Sequence, residues 1–155
     1  APSADPAPDG IPLALDLWMW GEVRSGVATI TTPVVEAFVP QMLNYESVGG
    51  VNFKKGCYPG QEVVARSQFR GTLKRRAFVV HAETAMVAGS EVFSATDPDQ
   101  PVATVVQAAA APKGGFDAII SAQLSAVDNG SLHLGAANGP TLKLLPLPYE
   151  LLSEV

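Results

Sequence analysis

Residues 76–82 read Arg-Ala-Phe-Val-Val-His-Ala, a run of mostly apolar and β-branched residues that favours a β-strand. Five more short runs of this type follow, at residues 91–95, 102–108, 118–124, 131–134 and 141–145. Pro, Gly, Asp and Asn separate the runs, and Asn129-Gly130 has the composition of a hairpin turn. Short strands at this spacing are typical of a small antiparallel barrel or sandwich. We therefore predict an antiparallel β-barrel over residues 73–155.

The first 72 residues have a different, mixed pattern and are predicted to be α+β. The opening is Pro-rich and lacks an initiator Met, as expected for a linker or for a piece of a longer protein. Trp18 and Trp20 are interpreted as core anchors within an amphipathic helix. The predicted elements are a helix over 13–23, a strand over 27–32, helical turns over 33–44 with the second starting at Pro40, an extended Gly-rich stretch over 47–53 and a helix over 61–70.

Composition restricts the classes of protein that this chain can represent. About half of its 155 residues are apolar, which is enough for a folded core. Cys57 is the only cysteine, so the chain can form neither an intrachain disulfide nor a four-cysteine metal site. A single thiol fits a reducing compartment, and no apolar run approaches the roughly 18 residues that a membrane helix needs.

The charges are distributed unevenly along the chain. Residues 54–76 contain seven of the ten basic residues and a single acid, so this block carries +6 while the rest of the chain carries −11. A basic block in an acidic protein is interpreted as a site for an anion. The basic residues are Lys54, Lys55, Arg66, Arg70, Lys74, Arg75 and Arg76.

The sequence KGCYPGQE at residues 55–62 combines this positive charge with the only thiol. Cys57 precedes a predicted helix, whose N-terminus favours an anion, and Lys55 is two residues away. These are the conditions that lower the pKa of a thiol and make it nucleophilic. Gly56 and Gly60 would allow a tight turn and close approach of a ligand. Since His81 and His133 lie in predicted strands, both are interpreted as structural, and a Cys–His hydrolase is not predicted.

The motif, with Arg66 four residues after its Glu, resembles the signature of YgfZ-type folate-binding proteins, relatives of the glycine-cleavage T-protein. Gln41 and Asn44 upstream and the ending Leu-Pro-Leu-Pro-Tyr at 145–149 also resemble that family. Pro59 stands where the family often has a small or β-branched residue. The resemblance implies a functional thiol at Cys57 assisted by Lys55. It also implies a cofactor-binding set of Gly56, Tyr58, Gly60, Gln61, Glu62 and Arg66, and no metal ligands.

The resemblance implies the end of a T-protein-like folate-binding domain at residues 1–72, followed by the barrel. It further implies a cytoplasmic, monomeric protein that binds tetrahydrofolate and supports assembly or repair of iron–sulfur clusters in client enzymes, including tRNA-modifying ones. Whether the protein turns over a substrate stays open.

Two other functions stay open at this point. One is a folate-dependent aminomethyltransferase of the T-protein type, although the presence of Cys57 favours the iron–sulfur role. The other is an RNA-binding module that uses the basic block, for which the few interleaved aromatic residues give little stacking support.

Overall fold

The computed structural model describes residues 9–52, 55–56, 59–60, 62, 64 and 74–152. Within these residues lie six antiparallel strands: β1 Arg75–Ala82, β2 Glu91–Ser94, β3 Ala103–Ala110, β4 Phe116–Gln123, β5 Leu132–Leu134 and β6 Thr141–Leu145. They close into a barrel in the order β1-β4-β3-β2-β5-β6, and pairing of β1 with β6 completes the ring. The six predicted strands and the barrel are confirmed.

Strands β1, β3 and β4 bury both of their faces. Side chains alternate along a strand, so Val80 and Ile120 point into the barrel while their neighbours Val79 and Ile119 belong to a second apolar cluster outside it. A bulge in β3 at Val106 adds one residue to the outer face. Burial on two faces explains why these strands have nearly continuous apolar sequences.

The outer cluster is covered by the segment that precedes the barrel. This segment contains helix α1, Leu15–Arg24, and two 3-10 turns, Thr32–Val34 and Pro40–Leu43. The predicted helix and the helical turn that starts at Pro40 are confirmed. Helix α1 has ten residues, and no helix in the described part of the chain is long and apolar enough to cross a bilayer.

One predicted core anchor is wrong. Trp18 is 57% exposed, because it lies on the side of α1 away from the barrel, whereas Trp20 is half-buried and its Nε1 donates to Asp117 Oδ2 at 2.8 Å. The exposed face of α1 also carries Leu15. The apolar spacing therefore predicted the helix correctly but gave no reliable assignment of its buried face.

The predicted strand over residues 27–32 is also wrong. This stretch joins no ladder of the described sheet, and the N–H of Thr29 donates instead to the side-chain Oε1 of Gln107 at 2.8 Å. The bulge in β3 places Gln107 on the outer face, so its side-chain oxygen accepts the hydrogen bond that a neighbouring strand would accept in a sheet. Ala28 is buried against the barrel, but the β-branched residues 29–32 are exposed, so their composition reflects neither strand pairing nor burial.

Two predicted turn regions also differ. Asn129-Gly130 forms no hairpin, because a short helix, α2 (Leu124–Asn129), connects β4 to β5 and these strands are not neighbours in the barrel. The stretch predicted to be extended from residue 47 begins as turns, and the N–H of Gly50 donates to Tyr45 O at 2.7 Å.

The C-terminal residues 146–152 pack across the surface, where Pro146 and Pro148 cannot continue a central strand. The hydroxyl of Tyr149 donates to Gly26 O at 2.8 Å, and Leu152 N donates to Ser47 Oγ at 3.1 Å. Gly26 has φ +68°, and a Cβ there would lie 3.0 Å from the Tyr149 ring, so any other residue would be strained at this contact. The predicted domain boundary at 72/73 lies outside the described residues and stays a prediction.

Candidate functional site

Four residues of the predicted site lie in the described part of the chain: Lys55, Gly56, Gly60 and Glu62. Gly60 has φ +82°, a conformation that favours glycine and fits the predicted tight turn. Glu62 and Val64 are helical, in agreement with the predicted helix. The other predicted site residues, Cys57, Tyr58, Gln61 and Arg66, lie outside the described residues.

Lys55 lines a pocket of about 240 Å³. Tyr45 forms part of its wall and donates its hydroxyl hydrogen to Ala28 O, which fixes the ring; burial raises the pKa of this phenol. The backbone at Gly50 folds closely over the same ring, since a Cβ at this position would lie 3.1 Å from Tyr45 Cδ1. The pocket therefore combines a cationic side chain with an aromatic wall. Its remaining lining residues are Pro40, Val51 and Asn52.

Gln41 connects the 3-10 turn to the segment that follows the motif. Its side chain is fully buried, and its Nε2 donates to Val64 O at 2.7 Å. Val64 itself is buried. The Gln41 Oε1 atom has no hydrogen-bond partner among the described residues. A single buried amide thus fixes the position of the chain on the C-terminal side of the motif.

Asn44 joins the N-terminal side of the motif to the barrel. Its backbone has φ 60°, a left-handed conformation that Asn adopts more readily than most residues. Its side-chain amide satisfies both backbone groups of Ala77 in β1: Nδ2 donates to the carbonyl at 2.8 Å, and Oδ1 accepts from the N–H at 3.1 Å. Next to it, Ser121 Oγ donates to Met42 O at 3.0 Å. These contacts anchor residues 42–44 on β1 and β4.

The structure alters the interpretation of the basic block. Arg76 forms an ion pair with Glu46 in which both side chains are buried, and its Nη2 donates to Leu152 O at 3.0 Å. Arg75 is half-buried, bonds Ser121 O at 3.3 Å, and has its pKa lowered by burial. The inclusion of Arg76 in an anion-directed block was therefore wrong, because its charge is paired with Glu46 of the motif segment. Arg75 instead bonds a backbone carbonyl of the neighbouring strand β4.

A signal for this role was present in the sequence. Counting back in steps of two from Val80 and Phe78, which belong to the barrel core, puts Arg76 on the same inner face of β1. A cation at the end of an inner strand face needs a buried acid as partner. The identity of that acid, Glu46, thirty residues upstream, could not be inferred from the pattern.

Among the described residues, no group of three His, Cys, Asp or Glu side chains is arranged to hold a metal ion. The two histidines lie in strands, as predicted: His133 in β5 bonds Ser131 Oγ and Gly139 O, and His81 in β1 bonds Asp117. The described part of the candidate site is a pocket that combines Lys55 with the ring of Tyr45, beside the glycine-flanked motif.

No family profile matches the chain. Among curated proteins, the chain is 34% identical over 138 residues to the tRNA-modifying protein YgfZ of Edwardsiella ictaluri (strain 93-146). The match covers 86% of the chain and 41% of the relative, so the chain spans less than half the length of that protein and corresponds to its C-terminal portion.

Proposed function

The chain is related to the YgfZ-type proteins over their C-terminal portion, and on this premise we propose that it belongs to a tetrahydrofolate-binding protein that supports assembly or repair of iron–sulfur clusters in other enzymes. The clients would include tRNA-modifying enzymes, in accord with the name of the relative, a tRNA-modifying protein. The main observation in support of the proposal is that Lys55, the first residue of KGCYPGQE, lines a pocket. We propose that the protein acts as a monomer in the cytoplasm.

Cys57 is the proposed functional thiol. It is the only cysteine, so no second thiol of the chain can pair with it. Lys55 brings a positive charge within two residues, and the helical conformation at Glu62 and Val64 supports a helix start shortly after the thiol. Both features favour a thiolate, the form of cysteine that attacks electrophiles and binds metals. Tyr58, Gln61 and Arg66 are proposed to complete the binding site.

The size and donor chemistry of the Lys55 pocket suit only part of a tetrahydrofolate molecule. The pocket holds about 240 Å³, below the roughly 300–1,000 Å³ typical of a site for a whole drug-sized ligand. Lys55 can pair with a carboxylate, and Tyr45 offers a ring face. The described residues thus fit one end of the cofactor, and we propose that Lys55, Tyr45 and Asn52 hold that end. When bound, tetrahydrofolate would supply one-carbon chemistry.

The two alternative functions, an aminomethyltransferase and an RNA-binding module, differ in how much support they have. An aminomethyltransferase would use the same cofactor, and a methylene-transfer assay separates it from the iron–sulfur role. An RNA-binding role for the basic block has less support, because Arg76 is held in a buried ion pair with Glu46 and Arg75 bonds a backbone carbonyl of β4. A salt-dependent affinity for RNA would restore that alternative.

The proposal is tested in cells that lack their own YgfZ-type protein. The protein that carries this chain is supplied, and the activity of an iron–sulfur tRNA-modifying enzyme is measured. We expect Cys57→Ser to abolish the rescue, because Ser preserves the size of the side chain but not the thiol. Lys55→Met should weaken the rescue, because it removes the nearby positive charge. Lys143→Met, a matched change at an exposed lysine of β6, should leave rescue intact. Full rescue by Cys57→Ser would reject the proposed role.

A further inference from the structure

A second pocket, of about 320 Å³, lies on the outer side of the barrel. Helix α1 contributes Trp20 and Arg24, strand β1 contributes His81, and the β3–β4 hairpin contributes Lys113. The pocket shares no lining residue with the Lys55 pocket. It is therefore separate from the site of the proposed function.

Asp117 organises the polar side of this pocket. Its side chain is only 5% exposed and accepts hydrogen bonds from Trp20 Nε1 and His81 Nδ1, both at 2.8 Å. Arg24 Nη1 faces the same carboxylate at 3.7 Å. A buried carboxylate is costly unless it is paired, and here its partners come from α1 and β1. Asp117 therefore fixes the orientation of three side chains that line the pocket.

The hairpin is built to approach the pocket closely. Gly115 has φ +69°, and a Cβ at this position would lie 2.6 Å from Ala82 O and 2.7 Å from His81 Cε1. Only glycine allows this contact, and Gly114 beside it has φ +103°. The two glycines bring Lys113 to the same pocket as His81. The sequence Pro-Lys-Gly-Gly at 112–115 thus serves a specific geometry rather than a generic turn.

The charges and surfaces of the pocket favour one class of ligand. Arg24 has more N–H donors than the one that faces Asp117, and Lys113 adds a second cation. Glu83, 3.5 Å from His81 Nε2, is 91% exposed and lies in solvent beside the pocket. Trp20 and Leu145 provide apolar surface. A ring carrying a negative group would use both kinds of surface.

We propose that this pocket binds a small planar anion, an aromatic ring that carries a carboxylate or a phosphate. The ring packs against Trp20 and Leu145, and the acidic group pairs with Arg24 and Lys113. His81, oriented by Asp117, offers Nε2 to a polar substituent of the ring. A carboxylate and a phosphate can both pair with Arg24 and Lys113, and the titrations described next distinguish between the two groups.

The test follows the indole N–H resonances of the chain by NMR. The chain has two tryptophans, and Trp18→Phe, on the exposed face of α1, identifies the resonance of Trp20. Benzoate and phenyl phosphate are titrated separately up to about 10 mM, with neutral benzamide as the control ligand. We expect a saturable shift of the Trp20 resonance with at least one of the two anions and none with benzamide. The anion that binds more tightly identifies the acidic group.

A pair of matched variants assigns the binding to the pocket. Arg24→Gln should weaken the anion by about tenfold or more, while Lys74→Gln, an exposed cation outside the pocket, should leave the affinity unchanged. The dispersion of the same spectrum reports whether each variant is folded. The absence of any saturable shift in the unmodified chain, or an equal response to benzamide, would overturn the proposal. Equal weakening by both variants would also overturn it, since it would indicate nonspecific attraction of anions.

Discussion

The barrel and the segment that carries the motif are stabilised by different means. The barrel satisfies its backbone through strand ladders, and its interior is filled by aliphatic side chains such as Val80 and Ile120. The segment from residue 40 to 64 has little regular structure among its described residues. Three buried polar side chains fix it instead: Gln41, Asn44 and Glu46. The comparison indicates that the barrel is a scaffold and that the motif segment depends on a few specific polar contacts with it.

The largest expected effect follows from breaking the buried ion pair. Replacing Glu46 by Ala leaves Arg76 charged and without this partner in a buried position, so we expect the free energy of unfolding to fall by about 3–5 kcal/mol. Urea denaturation, followed by circular dichroism, measures the change. Glu150→Ala, at an exposed acid, is the control and should have little effect.

A double variant sharpens this prediction. Glu46→Leu combined with Arg76→Met removes both charges together, and we expect it to recover most of the lost stability, because apolar replacement of a whole buried pair is often neutral. A loss for Glu46→Ala below about 1 kcal/mol would show that the pair behaves as a surface contact, and the proposed dependence on polar anchors would be wrong.

A smaller effect is expected at Asn44. Asn44→Gly keeps the left-handed backbone accessible but removes the amide that satisfies both backbone groups of Ala77. Leaving these groups unpaired should lower the free energy of unfolding by about 1–3 kcal/mol. Asn44→Ala should lose roughly 1 kcal/mol more, because an L-residue with a Cβ is strained at φ 60°. Equal stabilities for the two variants would exclude a backbone contribution.

The smallest stability effect is expected at Tyr149 and depends on pH. Burial raises the pKa of its phenol, opposed by a hydrogen bond from Asn44 and by the positive charge of Arg76. A raised pKa means that the folded state holds the proton more tightly than the unfolded state does. The associated stability is therefore complete below the unfolded pKa of about 10 and is lost as pH rises above that value toward the folded pKa.

This linkage is measured from the urea midpoint at alkaline pH. Tyr149→Phe should show a shallower decline than the unmodified chain above about pH 10. Below that pH it should differ by only about 0.5–1.5 kcal/mol, the usual net value of a hydrogen bond such as the one to Gly26. Parallel declines in the two proteins would assign the alkaline loss to other groups. Tyr45, whose pKa is also raised by burial, is then the next residue to replace.

The comparison also explains which features could be predicted from sequence. The six strands follow from local signals, since β-branched runs between Gly, Pro, Asn and Asp need no knowledge of partners. The start of the 3-10 turn at Pro40 is local in the same sense. Strand order, by contrast, is set by pairing across the chain, and α2 replaced a hairpin that Asn129-Gly130 had suggested.

The features of the candidate site also separate into those set by local sequence and those set by contacts between distant residues. The motif was visible as a contiguous string, and Lys55 does line a pocket. The contacts Glu46 to Arg76 and His81 to Asp117 join residues more than twenty-five positions apart, so no local pattern could pair them. Arg76 was misinterpreted for this reason: charge alone indicated a ligand, whereas its partner is an acid of the same chain.

We propose that the motif at residues 55–62 carries an activated thiol at Cys57. The rate at which iodoacetamide alkylates Cys57 tests it most directly, and the label is unambiguous because the chain has one cysteine. The rate is measured against pH for the unmodified chain, for Lys55→Met and for the matched control Lys143→Met. Circular dichroism of each variant confirms that the barrel is retained.

We expect the midpoint of the pH–rate profile to lie below the ordinary thiol value of about 8.5. It should move upward in Lys55→Met, because a nearby cation favours the thiolate, and it should stay unchanged in Lys143→Met. A midpoint at or above about 8.5 that is insensitive to Lys55→Met would contradict the claim, and Cys57 would then be a structural residue of the turn.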